Sequence, residues 1–400
     1  MRPAAVEFLI HMSLSASIAA VNNLSDDGFV DNDDLNRAML GKSGNGTEGR
    51  FSRSEGGRSV FAGQRPTVSV TGANLDLRWN QLKNIEYLTD GGNSWIHTAV
   101  LNDRPVVIKT LKPECQDLAM AINEIEAELV IHAQLSHRHI VALLGAGTSH
   151  HGIRFLVLER LDGGTLSQII GYDNRIRDRR RRFWKTKKQF SYVELLTSAR
   201  AIADAMAYCQ AHAIPGAMCL HRDLKPDNIG FTLDGTVKII DFGLATILDN
   251  ASPYSDDTYN MSGETGSLRY MAPEVAEGLK YNHKADVYSF GIILWEMNAF
   301  RKPFEGMNRE SFYERVVHGG ERLPISKRWP SALSSLMQSC WSETISERPS
   351  FEEIVEILDE IIRDETTNQK SDANHKKRPS ISKKRPQTQK NLNARHSTWF

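Results

Sequence analysis

The sequence predicts a globular α+β region flanked by segments without regular hydrophobic patterning. Short apolar runs at residues 84–88 and 106–108 are typical of strands and lie near its beginning. A helix is predicted over residues 117–132, where apolar side chains recur every four positions. Apolar residues between 351 and 361 recur at three- and four-residue steps, which predicts a last helix with one buried face.

Closely spaced strand-like and helix-like segments predict a globular part over about residues 75–362. Residues 1–79 are rich in Ser, Gly, Asn and Asp and are expected to be largely disordered, because such a composition cannot offset its ordering entropy. Residues 366–400 are expected to form a disordered basic tail. Within the globular region, residues 175–188 form a strongly basic insertion.

Bulk composition excludes several functional classes. The chain has 400 residues, and 49 Lys and Arg balance 49 Asp and Glu, so nucleic acid is not an expected partner. The four cysteines are far apart and form no CxxC or Cys/His cluster, which argues against a zinc site or a disulfide framework. No apolar stretch approaches ~18 residues, so a membrane span is not expected. A reducing, cytoplasmic location fits these features best.

Two basic features leave alternatives open. The insertion contains four consecutive arginines at residues 179–182 and is either a solvated loop or a docking site for an acidic or phosphorylated partner. The tail carries basic clusters at residues 376–378 and 383–385. They fit either a nuclear localisation signal or an ordinary solvated tail, so a nuclear location stays open beside the cytoplasmic one.

The strongest chemical signal is a pair of short motifs. Residues 221–228 read HRDLKPDN, and Asp241 begins a DFG motif thirteen residues after Asn228. Phosphoryl transfer requires a carboxylate near the attacking hydroxyl, oxygen ligands for Mg²⁺ and positive charge near the transferred group. The two motifs together contain all three. Farther upstream, residues 106–109 read VVIK and end in Lys109.

This pattern resembles the eukaryotic protein kinase family, and the Cys340-Trp341 pair resembles its tyrosine-kinase-like group of serine/threonine kinases. The resemblance covers about residues 80–365 and implies a two-lobed protein kinase fold with a small antiparallel β-sheet lobe, one major helix and a larger, mainly helical lobe. It also implies that Asp223 is the catalytic base and that Lys225 is a cation beside the γ-phosphate. Asn228, a catalytic-loop residue, and Asp241 would be the Mg²⁺ ligands.

The resemblance assigns the phosphate side of the ATP site to Lys109 and a glutamate of the following helix. Glu124, Glu126 and Glu128 compete for that role. Glu128 is preferred because it lies nine residues before His137, in the register of the family, and Glu124 is the second choice.

The glycine-rich loop is the weakest match. Residues 89–96 align with the pattern GxGxxGxV, but of its glycines only Gly91 is present, and Ile96 replaces the valine. Glycine is favoured there because backbone N–H groups must approach phosphates closely. Thr89 and Ser94 are therefore expected to weaken nucleotide binding.

The adenine side of the site also departs from the family. By resemblance, adenine would bond to the backbone of Glu159 and Leu161, with Leu158 as gatekeeper. Val107 replaces an alanine above the ring, and Gly230 replaces a bulky residue below it. We hypothesise that volume has moved from the floor of the pocket at residue 230 to its roof at residue 107.

Residues 241–274 resemble an activation loop that ends in an APE motif. A phosphate on this loop could pair with Arg222 through charge-assisted hydrogen bonds. Its candidate hydroxyls are Ser252, Ser255, Thr258, Ser262 and Thr265. His132, one turn after Glu128, is expected to be a buried core residue, and its role is open.

The catalytic loop also predicts the substrate class. Serine/threonine kinases carry a lysine two residues after the catalytic aspartate, as Lys225 does here, and Ser267 is placed to bridge Asp223 and Lys225. The sequence therefore predicts an enzyme that uses ATP and Mg²⁺ to phosphorylate protein serine or threonine. The alternative is a noncatalytic scaffold, which the substituted glycine loop favours.

Overall fold

The computed structural model describes residues 72–112, 115, 117–149, 152–170 and 191–376. The predictions for the basic insertion at 175–188, for residues 1–71 and for the tail from residue 377 lie outside these ranges. Within them, a strand-rich part is followed by a mainly helical part. The predicted two-lobed α+β arrangement is confirmed.

A six-stranded sheet forms the small lobe, in the order β1-β5-β6-β4-β3-β2. In the large lobe, β7 pairs with β10 and β8 pairs with β9, and these pairs position its loops. The strands are β1 (Asn74–Arg78), β2 (Leu82–Asp90), β3 (Ser94–Leu101), β4 (Arg104–Leu111), β5 (Leu143–Thr148), β6 (Arg154–Glu159), β7 (Ala217–Leu220), β8 (Ile229–Phe231), β9 (Val237–Ile239) and β10 (Thr246–Asp249).

The small sheet is antiparallel except at β1, which pairs in parallel with β5. Leu77 of β1 is buried, and its carbonyl lies so close to β5 that a Cβ built on Gly147 would be 2.0 Å from it. A glycine is therefore required at residue 147. The lobe begins before residue 80, where the resemblance begins, and close to residue 75, where the residue pattern predicts the start of the globular part.

In strand β4, the alternation of side chains between the two faces of the sheet places residues of the site. Val106 and Ile108 are fully buried in the core on one side of the sheet. The alternate residues, Val107 and Lys109, line the cleft between the lobes. Successive side chains of a strand point to opposite faces, so one short apolar run builds a core and also supplies functional side chains.

The helices are α1 (Leu118–His132), α2 (Leu166–Ile170), α3 (Tyr192–Ala207), α4 (Pro273–Ala276), α5 (Lys284–Ala299), α6 (Arg309–Phe312), α7 (Ser331–Cys340) and α8 (Phe351–Lys376). Helix α1 belongs to the small lobe and begins at Asp117, whose side chain accepts a hydrogen bond from the N–H of Met120 at 2.9 Å. Its predicted apolar face is buried against the sheet.

The large lobe is built around α5, which is buried over almost its whole length. Helix α3 packs in the same core and begins with a capping box, in which Ser191 and Glu194 bond to each other's backbone N–H groups. Glu274 of α4 and the fully buried Arg348 form a two-bond ion pair, at 2.5 and 2.9 Å. The pair joins the end of the predicted activation loop to this core.

Helix α8 continues beyond residue 365, where the resemblance ends. Its apolar period stops near Ile362, but no glycine or proline interrupts residues 351–376, so nothing in the sequence ends the helix earlier. In the described part of the chain, no helix combines the length and apolar character that crossing a membrane would require.

Candidate active site

The HRD segment is held in place by a buried carboxylate beneath it. Asp286 of α5 accepts hydrogen bonds from the backbone N–H groups of His221 and Arg222, at 2.9 and 2.8 Å. Burial raises the pKa of Asp286, and these two donors oppose the rise. Arg222 itself has a positive φ of 64°. The strained turn and its anchor fix where the next residue, Asp223, points.

Asp223 lies at the centre of a small polar cluster. Lys225 Nζ donates to its Oδ2 at 2.6 Å and to the Ser267 hydroxyl at 2.9 Å. The N–H of Ser267 donates to Asp223 Oδ1 at 2.9 Å. Gly266 makes this approach possible, because its φ is +98° and a Cβ there would lie 2.4 Å from the Arg222 carbonyl. The structure therefore places the predicted base, cation and bridging hydroxyl within contact of one another.

Asn228 and Asp241 supply oxygen atoms of the kind that Mg²⁺ prefers. The amide NH₂ of Asn228 donates to the carbonyl and Oδ2 of Asp223, at 2.9 and 3.1 Å, so the amide oxygen is the half left to a cation. The N–H of Ile240, the residue before Asp241, bonds to the Asn228 carbonyl at 2.9 Å. Mg²⁺ usually takes one or two protein oxygens and completes its shell with phosphates and water, so this donor set fits the ion.

Lys109 reaches across the cleft between the lobes. Its Nζ lies 2.7 Å from Glu128 Oε2 and 2.7 Å from Asp241 Oδ1. Of the three glutamates that compete on α1, the structure pairs Glu128 with Lys109. Glu124 instead accepts from the side chain of Asn93, and Glu126 pairs with Arg154 at 3.0 Å. Strand β4, helix α1 and the DFG motif therefore meet at the ammonium group of Lys109.

The charges of Lys109, Glu128 and Asp241 depend on one another. Burial would lower the pKa of Lys109, but the Glu128 and Asp241 carboxylates outweigh it and raise that pKa above its ordinary value. Burial would raise the pKa of Asp241, but Lys109 holds it at about 2. Asp241 is therefore ionised at neutral pH, as a metal ligand must be.

Phe242, the middle residue of the DFG motif, is fully buried between two histidine rings. Its ring centroid lies 5.2 Å from that of His132 and 5.0 Å from that of His221. His132 Nε2 is 2.8 Å from the carbonyl of Val141, which requires a proton on Nε2. Burial lowers the pKa of His132 to about 4. The imidazole is thus a neutral core residue that also ties α1 to the segment leading into β5.

The turn between β2 and β3 covers one side of the cleft. Gly91 donates its N–H to the carbonyl of Ser94 at 2.8 Å, and Gly91 and Ile96 both line the cleft. Asn93 makes two contacts that the sequence did not suggest. Its amide donates to Glu124 of α1 at 2.9 Å, and its carbonyl accepts from the N–H of Lys112 at 3.0 Å. The turn is therefore tethered to the helix.

The adenine-side residues Val107, Leu158, Glu159 and Leu161 all line the same cleft. The Glu159 carboxylate is engaged away from it, by Lys238 at 2.9 Å and by the N–H of Ala142 at 3.1 Å. The Glu159 N–H donates to the Ala142 carbonyl at 2.9 Å, so only the backbone carbonyl of this residue could meet a ligand.

Our hypothesis that volume moved from residue 230 to residue 107 needs correction. A side chain at Gly230 would occupy space that Leu161 already fills, since a Cβ there would lie 2.5 Å from Leu161 Cδ1. Because glycine has no side chain, sequence alone could not indicate which neighbour occupies its volume.

Arg222 contacts the predicted activation loop through neutral acceptors. Arg222 NH1 donates to the Ser262 hydroxyl at 2.9 Å and to the Tyr281 hydroxyl at 3.3 Å, and its Nε donates to the carbonyl of Leu244 at 2.7 Å. Of the five candidate hydroxyls, Ser262 is the one that contacts Arg222. The Ser252 and Ser255 hydroxyls accept from backbone N–H groups two residues onward. Phosphorylation of the loop stays a prediction.

Comparison with known proteins agrees with this site. Residues 82–358 match the family model described as protein tyrosine and serine/threonine kinase. The chain is 30% identical over 282 residues to mitogen-activated protein kinase kinase kinase 7 of Drosophila melanogaster, which covers 70% of this chain and 37% of that protein. Over 305 residues it is 31% identical to serine/threonine-protein kinase STY46 of Arabidopsis thaliana, covering 76% of this chain and 48% of that protein.

The human mitogen-activated protein kinase kinase kinase 7 is 34% identical over 262 residues, or 65% of this chain and 38% of its own length. The chain thus spans less than half the length of these relatives. The family model, however, spans more than half of the chain and includes all the motifs that build the cleft. The chain therefore belongs to the protein tyrosine and serine/threonine kinase family.

Proposed function

We propose that this chain is a protein serine/threonine kinase that transfers the γ-phosphoryl group of Mg-ATP to protein hydroxyls in intracellular signalling. One observation carries the proposal: the Asp223–Lys225–Asn228 cluster and the Lys109–Glu128–Asp241 cluster open into one cleft. Phosphoryl transfer needs little covalent chemistry from the protein, and it needs these charges in fixed positions.

The carboxylate of Asp223 would accept the hydrogen bond of the substrate hydroxyl and take its proton as the P–O bond forms. Lys225, held between Asp223 and Ser267, would stabilise negative charge on the transferred group. Lys109 would bind phosphate oxygens of ATP, with Glu128 keeping its ammonium aimed into the cleft. Each role requires a charge that its neighbours already orient.

Asn228 and Asp241 would hold Mg²⁺, which when bound neutralises phosphate oxygens. The described residues contain no cluster of three or more His, Cys, Asp or Glu that could hold a metal by itself. Such a sparse donor set suits Mg²⁺ bound together with a nucleotide rather than a permanently held ion.

Two features support serine or threonine as the acceptor. Lys225 contacts both Asp223 and Ser267, an arrangement that the resemblance links to serine/threonine kinases. One of the relatives is named a serine/threonine-protein kinase. We propose further that its substrates are proteins, that residues 175–188 bind an acidic or phosphorylated partner, and that the chain is located in the cytoplasm or the nucleus.

Phosphate transfer by the purified full chain from Mg-ATP to a generic basic protein tests the proposal. Replacing Asp223 by Asn keeps the size of the side chain but removes the base, so we expect transfer to fall about 10²- to 10⁴-fold. Asp103→Asn is a matched control, because Asp103 lies exposed in a turn with φ of 59°, which asparagine tolerates.

Equal transfer by the unaltered chain and the Asp223→Asn variant would rule out the enzyme and favour a noncatalytic scaffold. Phosphoamino-acid analysis of the product then separates the acceptors. Phosphotyrosine as the main product would contradict the serine/threonine assignment while leaving kinase activity intact.

A further inference from the structure

Gly230 of β8 and Leu161, which follows β6, compete for one volume in the cleft. A Cβ built on Gly230 would lie 2.5 Å from Leu161 Cδ1, closer than real Cβ contacts allow, and 3.7 Å from Ile240 Cγ2. Gly230 is buried and has no positive φ, so its conformation does not require glycine. A side chain at residue 230 would therefore have to displace the end of the Leu161 side chain.

Backbone hydrogen bonds keep Leu161 in this position. The N–H of Gly163 donates to the Phe231 carbonyl at 2.8 Å, and the N–H of Phe231 donates to the Gly164 carbonyl at 2.9 Å. A Cβ on Gly163 would lie 2.5 Å from the Phe231 carbonyl, so this close approach also depends on a glycine. The segment after β6 is thus fastened directly to β8, which keeps the backbone that carries Leu161 close to Gly230.

The Leu161 side chain forms apolar surface between Gly230 of the large lobe and the core of the small lobe. With Ile240 it packs against that core of α1 and the sheet, and both residues line the cleft. Val107 and Ile96 line the cleft from strands of the small lobe. A flat heteroaromatic ring entering between these groups would have apolar side chains on both faces, as ligand sites for such rings generally do.

We propose that Leu161 supplies the floor under the purine ring of ATP, in place of a side chain at residue 230, and so sets the shape of the base pocket. This inference rests on the proposed function, because it assumes that the nucleotide binds in this cleft. It makes Leu161 a specificity-determining residue through its side chain, in addition to any contact of its backbone.

A double-mutant cycle tests the shared volume. Leu161→Ala removes the floor and Gly230→Leu introduces a clash, so each single variant should bind Mg-ATP about tenfold more weakly, the effect of losing contact with a few methyl and methylene groups. The double variant restores one leucine to the shared space. We expect its Kd for Mg-ATP, measured by calorimetry, to return to within about threefold of the unaltered chain.

Kinetics give an independent readout. Purine contacts are made equally in the ground state and the transition state, so Leu161→Ala should raise KM for ATP and leave kcat unchanged. A merely structural defect would lower kcat as well or shift the melting temperature. Leu233→Ala, at a leucine that is 81% exposed in the large lobe, is the matched control and should change neither KM nor Kd.

The outcomes separate this inference from the function on which it rests. If the unaltered chain fails to bind Mg-ATP, both are wrong. If it binds and Leu161→Ala binds equally well, or if the two single effects simply multiply in the double variant, only the floor assignment is wrong. Gly230→Ala replaces Gly230→Leu in the cycle if the larger variant does not fold, because even a Cβ at residue 230 meets Leu161.

Discussion

The imidazole of His132 has two roles that an aliphatic side chain could not combine. It packs against Phe242 within the core, and it donates a hydrogen bond to the Val141 carbonyl. Its other ring nitrogen, Nδ1, is buried and has no hydrogen-bond partner among the described residues. A proton there would create an unpaired buried charge, so the neutral form is strongly favoured.

Acid should therefore destabilise the protein through His132. Its folded-state pKa of about 4 lies below the 6.5 of an unfolded histidine, so the unfolded chain binds the proton more tightly. The stability that results is complete above pH 6.5 and is lost as the pH falls toward 4. At pH 5 the loss amounts to about 2 kcal/mol.

The variant His132→Leu isolates this effect. At pH 7.5 it should be less stable by about 1–3 kcal/mol, because the buried Val141 carbonyl loses its donor. As the pH falls to 5, that deficit should shrink or reverse, since leucine cannot bind a proton. Urea unfolding at both pH values measures the change. His283 is also buried, with its pKa lowered to about 4, but it is present in both proteins, so its effect cancels in the comparison. A pH-independent deficit would contradict the assignment.

Residue-level prediction worked where a chemical role needs a fixed spacing. The separation of Asp223, Asn228 and Asp241 could be read from the sequence, because their motifs are local and the chain between them is short. Residue-level prediction failed where the identity of a residue is set by the volume of a neighbour or by a contact between distant segments. Gly230 depends on Leu161, which is 69 residues earlier, and neither local propensity nor periodicity reports such a pair.

At the level of elements, the tether between the β2–β3 turn and helix α1 is a second contact between distant segments that the sequence did not predict. Thr89 and Ser94 replace two of the glycines that let such a segment follow a phosphate closely, but the Asn93 amide bonds to Glu124 of the helix. The same helix carries Glu128, which holds Lys109. Turn, helix and lysine are thus mechanically connected, and loosening the turn should affect nucleotide binding.

We expect Asn93→Asp to weaken ATP binding, because it sets two carboxylates 2.9 Å apart in place of a hydrogen bond. Loss of one such bond corresponds to about a fivefold rise in KM for ATP. The double variant with Glu124→Gln restores a donor and an acceptor in reversed order, so it should recover most of the loss. Hydrogen exchange at residues 91–93 should rise and recover in parallel.

A charge effect on ATP alone would behave differently. If the carboxylate introduced at residue 93 acted only by repelling phosphates, Glu124→Gln would not rescue it, and the tether would have no functional part. Glu126→Gln is the control on the same helix, because Glu126 contacts Arg154 of β6 rather than the turn. It should leave KM for ATP unchanged.

At the scale of the whole molecule, the two-lobed arrangement followed from the sequence, whereas its limits did not. The core elements have strong apolar periods, and the large lobe is organised around the almost fully buried α5. Both ends of the described fold lack such a signal. Strand β1 has two alternating leucines, and the sequence of α8 after Ile362 has no apolar period, so tertiary contacts rather than pattern decide where the domain stops.

The contacts of α8 predict where the chain can be shortened. Ile361 is 5% exposed within the large-lobe core, and Asp359 accepts two hydrogen bonds from Arg200 of α3, at 3.1 and 3.4 Å. Truncation after residue 358, where the family match ends, removes both contacts. We expect it to lower the free energy of unfolding by about 2–4 kcal/mol, mostly from the lost isoleucine, because the partly exposed ion pair contributes little.

Truncation after residue 367 should keep both contacts and stay within about 1 kcal/mol of the full chain. Urea unfolding of the two shortened chains beside the full chain measures the difference. The single variant Ile361→Ala in the full chain should reproduce most of the loss seen on truncation after residue 358, since the same apolar area is removed from the core. Equal stability of all these proteins would place the end of the stable fold at residue 358 and make the remainder of α8 dispensable to it.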